Sequence, residues 1–285
     1  MTRHLVVGID GSQAASHAAE WAADEAAARG LDLLVVHAVP LAPHLMPTLP
    51  GTGAWRGGAR HLVDAQVSAL SRRRPGLPVE GRVVEQTPAE ALVEAGRSAE
   101  LLVVAARGLH GFTGLQVGSV ALRVADRAPC PVVVLPPGPV APARRPEVVL
   151  GVDARHPDPE AACLAFDAAS RRGARLRAVH AWELPAPYAA PWAPYRAVEE
   201  DRAAWEDQEV QLLDDALRPW REKYPGVAVL ADVRLFHPAE ALVNASSAAD
   251  LLVMGRGAAP GSRLSAAAHA VVHHARCPVL LAPRG

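Results

Sequence analysis

The chain is written twice, and nothing else in it limits the possible folds so strongly. Leu5-Val6-Val7-Gly8-Ile9-Asp10 returns as Val148-Val149-Leu150-Gly151-Val152-Asp153, and Val35-Val36-His37-Ala38 returns as Ala178-Val179-His180-Ala181. Pro88-Ala89-Glu90-Ala91-Leu92-Val93 recurs unchanged as Pro238-Ala239-Glu240-Ala241-Leu242-Val243, and Cys130-Pro131-Val132 recurs as Cys277-Pro278-Val279. The offset is 143 at Leu5 and Val148 and 150 at Pro88 and Pro238, so each copy is a whole domain and not a solenoid unit. Where two copies have diverged inside one chain, what one kept and the other lost points to function.

Half of the 285 residues are hydrophobic and 21% are charged, enough apolar material for two cores and too much for extended disorder. A formal charge of −1 gives no electrostatic reason to expect a nucleic-acid partner. Lys223 is the only lysine, so basic charge is almost wholly arginine. The apolar stretch from Leu5 to Ile9 is too short for a signal-peptide core, and no run approaches a membrane span. Cys130, Cys163 and Cys277 are too few and too scattered for a disulfide framework or a zinc cluster. These features lead us to expect a cytoplasmic protein with no membrane segment.

In the first copy, the continuous apolar run Leu5 to Ile9 has the pattern of a strand buried on both faces. Asp10-Gly11-Ser12 ends it and opens a helix with Ala15, Ala18, Ala19, Ala22, Ala23 and Ala26 at helical spacing, stopped by Gly30. Further strands are expected at Leu33 to Val39, Val79 to Val84, Leu101 to Ala105 and Pro131 to Leu135. Helices are expected from about Arg60 to Arg73, from a capping box at Thr87-Pro88-Ala89-Glu90, and from about Ser119 to Arg127. Strands alternating with helices mean βαβ units, hence an α/β fold with a parallel sheet and helices on both faces. Pro136 to Pro142 reads as a linker between domains at 1–138 and 146–285, and the second copy carries a Pro-rich insertion at Pro185 to Pro194.

The segment after the fourth strand carries the chemistry. Ala105-Ala106-Arg107-Gly108 is followed by nine residues and then by Gly118-Ser119 opening a helix. Bare glycines and exposed helix amides make a ready phosphate site, while the plainer reading is a loop whose turns need positive φ. It is not a Walker A loop, because no Gly-Lys-Ser/Thr occurs.

With Gly8-Ile9-Asp10-Gly11-Ser12 before it and Cys130-Pro131-Val132-Val133-Val134 after it, this arrangement resembles the universal stress protein family, across essentially the whole chain and in both copies. That family's nucleotide-binding members carry Gly-x2-Gly-x9-Gly-Ser/Thr after strand four and an Asp after strand one. The departure is Ala105, which stands at the family's first glycine; its methyl takes space and would resist a positive φ. The resemblance implies a five-stranded sheet of order 3-2-1-4-5 in each copy, of the adenine nucleotide alpha hydrolase type, with ligand bound where the order reverses. Carried over by position, it implies Asp10 on the adenine or ribose side, the Ala38 backbone against adenine, and Ala105, Gly108, Gly118, Ser119 and Val120 around ribose and phosphates. The implied ligand is ATP, with Mg²⁺ as its companion.

The second copy departs from this pattern. Gly11-Ser12 gives way to Ala154-Arg155, Pro260 enters the loop, and Ser265-Ala266 stands at the Gly-Ser position. An ordinary triphosphate pose is therefore not expected there.

Other residues carry a plain reading beside a sharper one. His269 and His273, with His274, have metal-ligand spacing on a helix, yet no third ligand is evident. His37 and His180 recur at a strand end, as ligand contacts or as structural histidines. Cys130 and Cys277 read as a reactive pair or as buried small side chains, Arg107 and His110 as phosphate contacts or exposed loop, and Trp192 as a cover for the crevice or a partner surface or as ordinary packing.

The expected function is an ATP-binding stress-response regulator with nucleotide in the first domain, a protein partner, and pairing of two chains. No carboxylate is identifiable as a base for water, so catalysis is at most slow ATP hydrolysis. The alternative is a nucleotide-free interaction or scaffold protein of the same fold.

Overall fold

Five apolar runs in each copy become five parallel strands, and the helices between them carry the chain back across the sheet. The structure, a computed structural model, describes residues 4–40, 52–109, 116–138, 145–184, 195–257 and 264–284, with side chains from 57 and from 202 onward in the helices that begin at 52 and 195. The chain divides between residues 139 and 140 into two compact units.

The first unit contains β1 (His4–Ile9), α1 (Gln13–Arg29), β2 (Asp32–Ala38), α2 (Thr52–Arg73), β3 (Val79–Val84), α3 (Pro88–Ala95), β4 (Ala99–Ala105), α4 (Ser119–Arg127) and β5 (Val132–Leu135). Its sheet order is β3-β2-β1-β4-β5, with every pair parallel. The crossovers through α1 and α2 run outward from β1 in one direction, and those through α3 and α4 return in the other. With right-handed crossovers the two helix pairs must lie on opposite faces. Leu5, Val6, Val7, Leu101, Leu102 and Val103 are fully buried, as strands covered on both faces require.

α1 presents Ala15, Ala18, Ala19, Ala22, Ala23 and Ala26 to the sheet, all buried, so the helix can lie close to it. Ser12 caps it by accepting the Ala15 amide at 3.1 Å, and Gly30 ends it in the left-handed region at φ 64°. α2 begins at Thr52, earlier than the sequence suggested, because Gly57 and Gly58 weaken the helical signal while open space around both lets the helix run through them. The expected capping box before α3 forms differently. Thr87 bonds no helix amide; its hydroxyl donates to Glu90 Oε2 at 2.6 Å, and Pro88 starts the helix.

The second unit contains β6 (Glu147–Gly151), α5 (Pro159–Arg172), β7 (Arg175–Trp182), α6 (Tyr195–Lys223), β8 (Val229–Leu235), α7 (Pro238–Ser246), β9 (Leu251–Gly255), α8 (Ala266–His274) and β10 (Val279–Ala282). Its order, β8-β7-β6-β9-β10, is again 3-2-1-4-5 and parallel. The unchanged Pro-Ala-Glu-Ala-Leu-Val segments have a packing reason. Leu92 of α3 lies against Gly8, where a Cβ would come within 2.7 Å of it, and Leu242 of α7 lies in the same way against Gly151, at 2.9 Å.

One correspondence drawn from the sequence needs correction. α5 has 14 residues against 17 in α1 but ends on an equivalent left-handed glycine, Gly173 at φ 57°. Its N-cap is Asp158, which accepts the Glu160 and Ala161 amides. Arg155 keeps the backbone place of Ser12, its amide donating to Asp153 Oδ1 at 3.0 Å as that of Ser12 donates to Asp10 Oδ1 at 2.9 Å, but the loop after β6 is longer and Asp158 does the capping.

Candidate functional site

The order reverses between β1 and β4, which leaves a crevice beyond their carboxyl ends. A cavity of about 250 Å³ occupies that place in the first unit. Asp10, Ala38, Ala105, Gly108, Gly118, Ser119 and Val120 all line it. The structure thus brings together the seven positions named from the sequence. Val36, His37, Pro88, Leu92 and Arg107 also line it. Val36, Pro88 and Leu92 carry no signal that separates them from core positions, since a wall residue and a core residue share the same periodicity.

Asp10 ties the two loops together. Its Oδ1 accepts the Ser12 amide at 2.9 Å, and its Oδ2 accepts the Leu109 amide at 2.8 Å. A Cβ at position 108 would collide with Oδ2, so Gly108 is bare because the Asp10 carboxylate occupies that space. A positive φ is not the reason, because neither Gly108 nor Gly118 has one.

Gly118 is a different case. It caps α4 with φ −82° and ψ 158°, and a Cβ there would meet only Ala106 O, at 3.6 Å. The packing would accept a side chain. Without one, Gly118 offers the first free amides of α4 no side-chain cap, and Gly118, Ser119 and Val120 line the cavity. Ala105 ends β4 in extended backbone, and no described non-glycine residue has positive φ. Its methyl therefore narrows the cavity without straining the chain.

The second unit carries other groups at the equivalent positions. The Ser265 amide donates to Arg256 O at 2.8 Å, as the Gly118 amide donates to Ala106 O at 2.7 Å, which fixes the correspondence between the loops. Ser265 accepts the Ala268 amide at 3.1 Å and so caps α8 itself. Arg256, 2% exposed, replaces a small alanine. Gly255 stands at the position of Ala105, and the space so released is taken by the Asp158 carboxylate, with which a Cβ at 255 would collide. Asp153 bonds locally, accepting the Arg155 amide at 3.0 Å and facing His156 Nδ1 at 3.3 Å.

The repeated histidines are structural at one nitrogen. His37 Nδ1 lies 2.9 Å from Ile9 O, and His180 Nδ1 lies 3.2 Å from Val152 O. In the second unit the buried His180 also places Nε2 2.9 Å from Glu209 Oε2, and Glu209 pairs with Arg155. The His269 and His273 rings lie tilted to each other with centroids 4.5 Å apart. Burial, then His269 and His274, hold His273 below its ordinary pKa. No group of three metal-ligating side chains occurs among the described residues. None of the cysteines is in a disulfide, and burial pushes the Cys277 thiol up to about 12. His110 and Trp192 lie outside the described residues. No helix among the described residues is long and apolar enough to cross a membrane.

Comparison with known proteins agrees in both halves. The profile of the universal stress protein family matches residues 1–136 and again residues 145–283. A universal stress protein of Mycobacterium tuberculosis is 34% identical over 291 residues, covering 98% of this chain and 96% of its own. One from Mycobacterium bovis is 32% identical over 313 residues, covering 98% of this chain and 94% of its own. The crystal structure of a universal stress protein from Archaeoglobus fulgidus has the same fold, with a TM-score of 0.70 at 17% identity, covering 99% of this chain and 96% of that one.

Proposed function

The chain belongs to the universal stress protein family in both of its halves, and from that premise we propose that its first domain binds an adenine nucleotide in the crevice between β1 and β4 while its second domain does not. The observation that carries this reading is the pair of helix starts. α4 opens on a bare glycine at a cavity that Gly118, Ser119 and Val120 line, whereas α8 is closed by its own serine. Helix amides with no side-chain acceptor, next to the Ser119 hydroxyl, suit phosphate oxygens.

The roles follow from the lining. Val36, Ala38 and Leu92 offer apolar wall to adenine, and Asp10 retains lone pairs for ribose hydroxyls beyond the two amides it accepts. ATP is the proposed ligand. Asp10 is the only carboxylate among the described lining residues, so Mg²⁺ would be held mainly by phosphates and water. Asp10 is occupied with loop amides and no second carboxylate lines the cavity among the described residues, so any hydrolysis of ATP is expected to be slow. The protein is then a nucleotide-dependent regulator of a stress response rather than an enzyme, acting on a protein partner in the cytoplasm and pairing with a second copy.

The test is to release bound nucleotide by denaturing freshly purified protein, then to titrate the emptied protein with ATP and Mg²⁺ by calorimetry. About one nucleotide per chain is expected. Gly118→Trp, which fills the crevice, should abolish binding while circular dichroism stays native. Unchanged affinity in that variant moves the site elsewhere. No binding by the parent chain leaves the scaffold reading.

A further inference from the structure

The second unit holds a pairing of reactive groups with no parallel in the first. Lys223, the only lysine, ends α6, and its Nζ lies 4.0 Å from Sγ of Cys163 on α5. Cys130 and Cys277 are buried, and Cys163 is the one cysteine with intermediate exposure. Among the described residues Lys223 pairs with no carboxylate. Its ammonium instead lies 5.2 Å from the centre of the Trp220 ring and 5.3 Å from that of Tyr224. Burial, then the nearby Cys163 and Asp167, push the Tyr224 phenol up, so its hydroxyl keeps its proton.

The duplication shows what this corner would otherwise contain. Gly30 and Gly173 end α1 and α5 in the same left-handed conformation, an offset of 143 that aligns Cys163 with Glu20 and Asp167 with Asp24. Pro75-Gly76 and Pro225-Gly226 follow α2 and α6 at an offset of 150, which aligns Lys223 with Arg73 and Tyr224 with Arg74. In the first unit Arg73 forms ordinary ion pairs, 3.4 Å to Glu20 and 3.3 Å to Asp24. Both members of the Arg73–Glu20 pair are exchanged in the second copy, and together they turn an exposed ion pair into a thiol touching a primary amine. A guanidinium cannot replace an amine as a nitrogen nucleophile at ordinary pH, so the single departure from arginine in this chain falls where an amine changes the chemistry.

We propose that Cys163 and Lys223 form a reversible covalent N–O–S bridge, with molecular oxygen as the oxidant. The Lys223 ammonium first loses a proton to solvent; one thiol, the neutral amine so formed and one O₂ then give S–O–NH and one water. The S–H bond, one N–H bond and the O–O bond break; S–O and O–N bonds and two O–H bonds form. Sulfur and nitrogen each give up two electrons, and dioxygen takes four. The bridge joins α5 to α6, and two dithiol molecules, each giving two electrons and two protons as it closes to its disulfide, restore thiol, amine and water. The site belongs to the second unit and does not depend on nucleotide in the first.

The test uses the full chain, held in oxygen-saturated buffer or kept anaerobic, then read by intact mass and tryptic mapping. The expected product gains one oxygen and loses two hydrogens. It joins the peptides of Cys163 and Lys223, loses tryptic cleavage after Lys223, raises Tm, and reverts with dithiothreitol. Cys163→Ser and Lys223→Arg, the latter copying Arg73, should each abolish the product with the fold retained. A Cys163 that stays fully alkylatable overturns the proposal. So does one that advances only to sulfenic or sulfinic acid while Lys223 is still cleaved.

Discussion

At the scale of single residues, the loop glycines separate into two kinds by what stands behind them. Gly108 is held bare by the Asp10 carboxylate, a contact within the protein, whereas Gly118 is bare facing a cavity. Gly108→Ala should therefore disturb the Asp10 bridge to Ser12 and Leu109 and lower stability by roughly 1–3 kcal/mol, the usual cost of an overpacked site, as read by urea denaturation. Gly118→Ser should behave in the opposite way. It copies Ser265, so the helix gains a hydroxyl cap, stability changes by only about a few tenths of a kcal/mol, and nucleotide affinity falls because the cap takes an amide from the phosphate. Asp10, Gly108 and Gly118 were all legible in the sequence as a spacing. Which of them serves the fold and which faces the crevice was not, because a spacing does not say what occupies the missing Cβ volume.

At the scale of elements, helix ends decide where the two copies part. α5 gave up a turn to a longer loop, and Asp158 then serves as a cap that accepts two amides and also lies over Gly255. Asp158→Ala should cost about 1–2 kcal/mol in urea denaturation as the cap is lost. The sequence alignment of Ala154-Arg155 with Gly11-Ser12 missed this, because a cap is recognised by where the helix begins and not by its distance from the preceding strand. α8 carries a pH response of definite sign. Its His273 is held below the ordinary histidine value by burial and by His269 and His274, so the unfolded chain takes up the proton first. Stability should be level above about pH 6.5 and decline as pH falls from there toward the depressed folded value. His273→Gln should flatten the difference between urea midpoints at pH 5 and pH 8.

At the scale of the whole molecule, the proposed asymmetry between the copies rests on a cavity lined by Gly118 and Ser119 in the first unit and on Ser265 and Asp158 in the corresponding places of the second. Saturating ATP should slow hydrogen exchange in residues of the first unit and leave the second unchanged. At a ligand concentration a hundredfold above Kd the first unit should gain about 2.7 kcal/mol. Protection of both units to the same extent would refute the asymmetry. The sequence by itself determined the duplication, the βαβ alternation, the strand order implied by family resemblance, and the seven positions that meet at one cavity. It could do so because burial on both strand faces, helix periodicity and motif spacing are local properties of the chain. Only the tertiary structure decided that Asp158 lies against Gly255, that Arg256 is buried, that Asp10 accounts for Gly108, and that Cys163 meets Lys223 across sixty positions of sequence. Those facts depend on which side chains share a volume, and volume is shared only after the elements have packed.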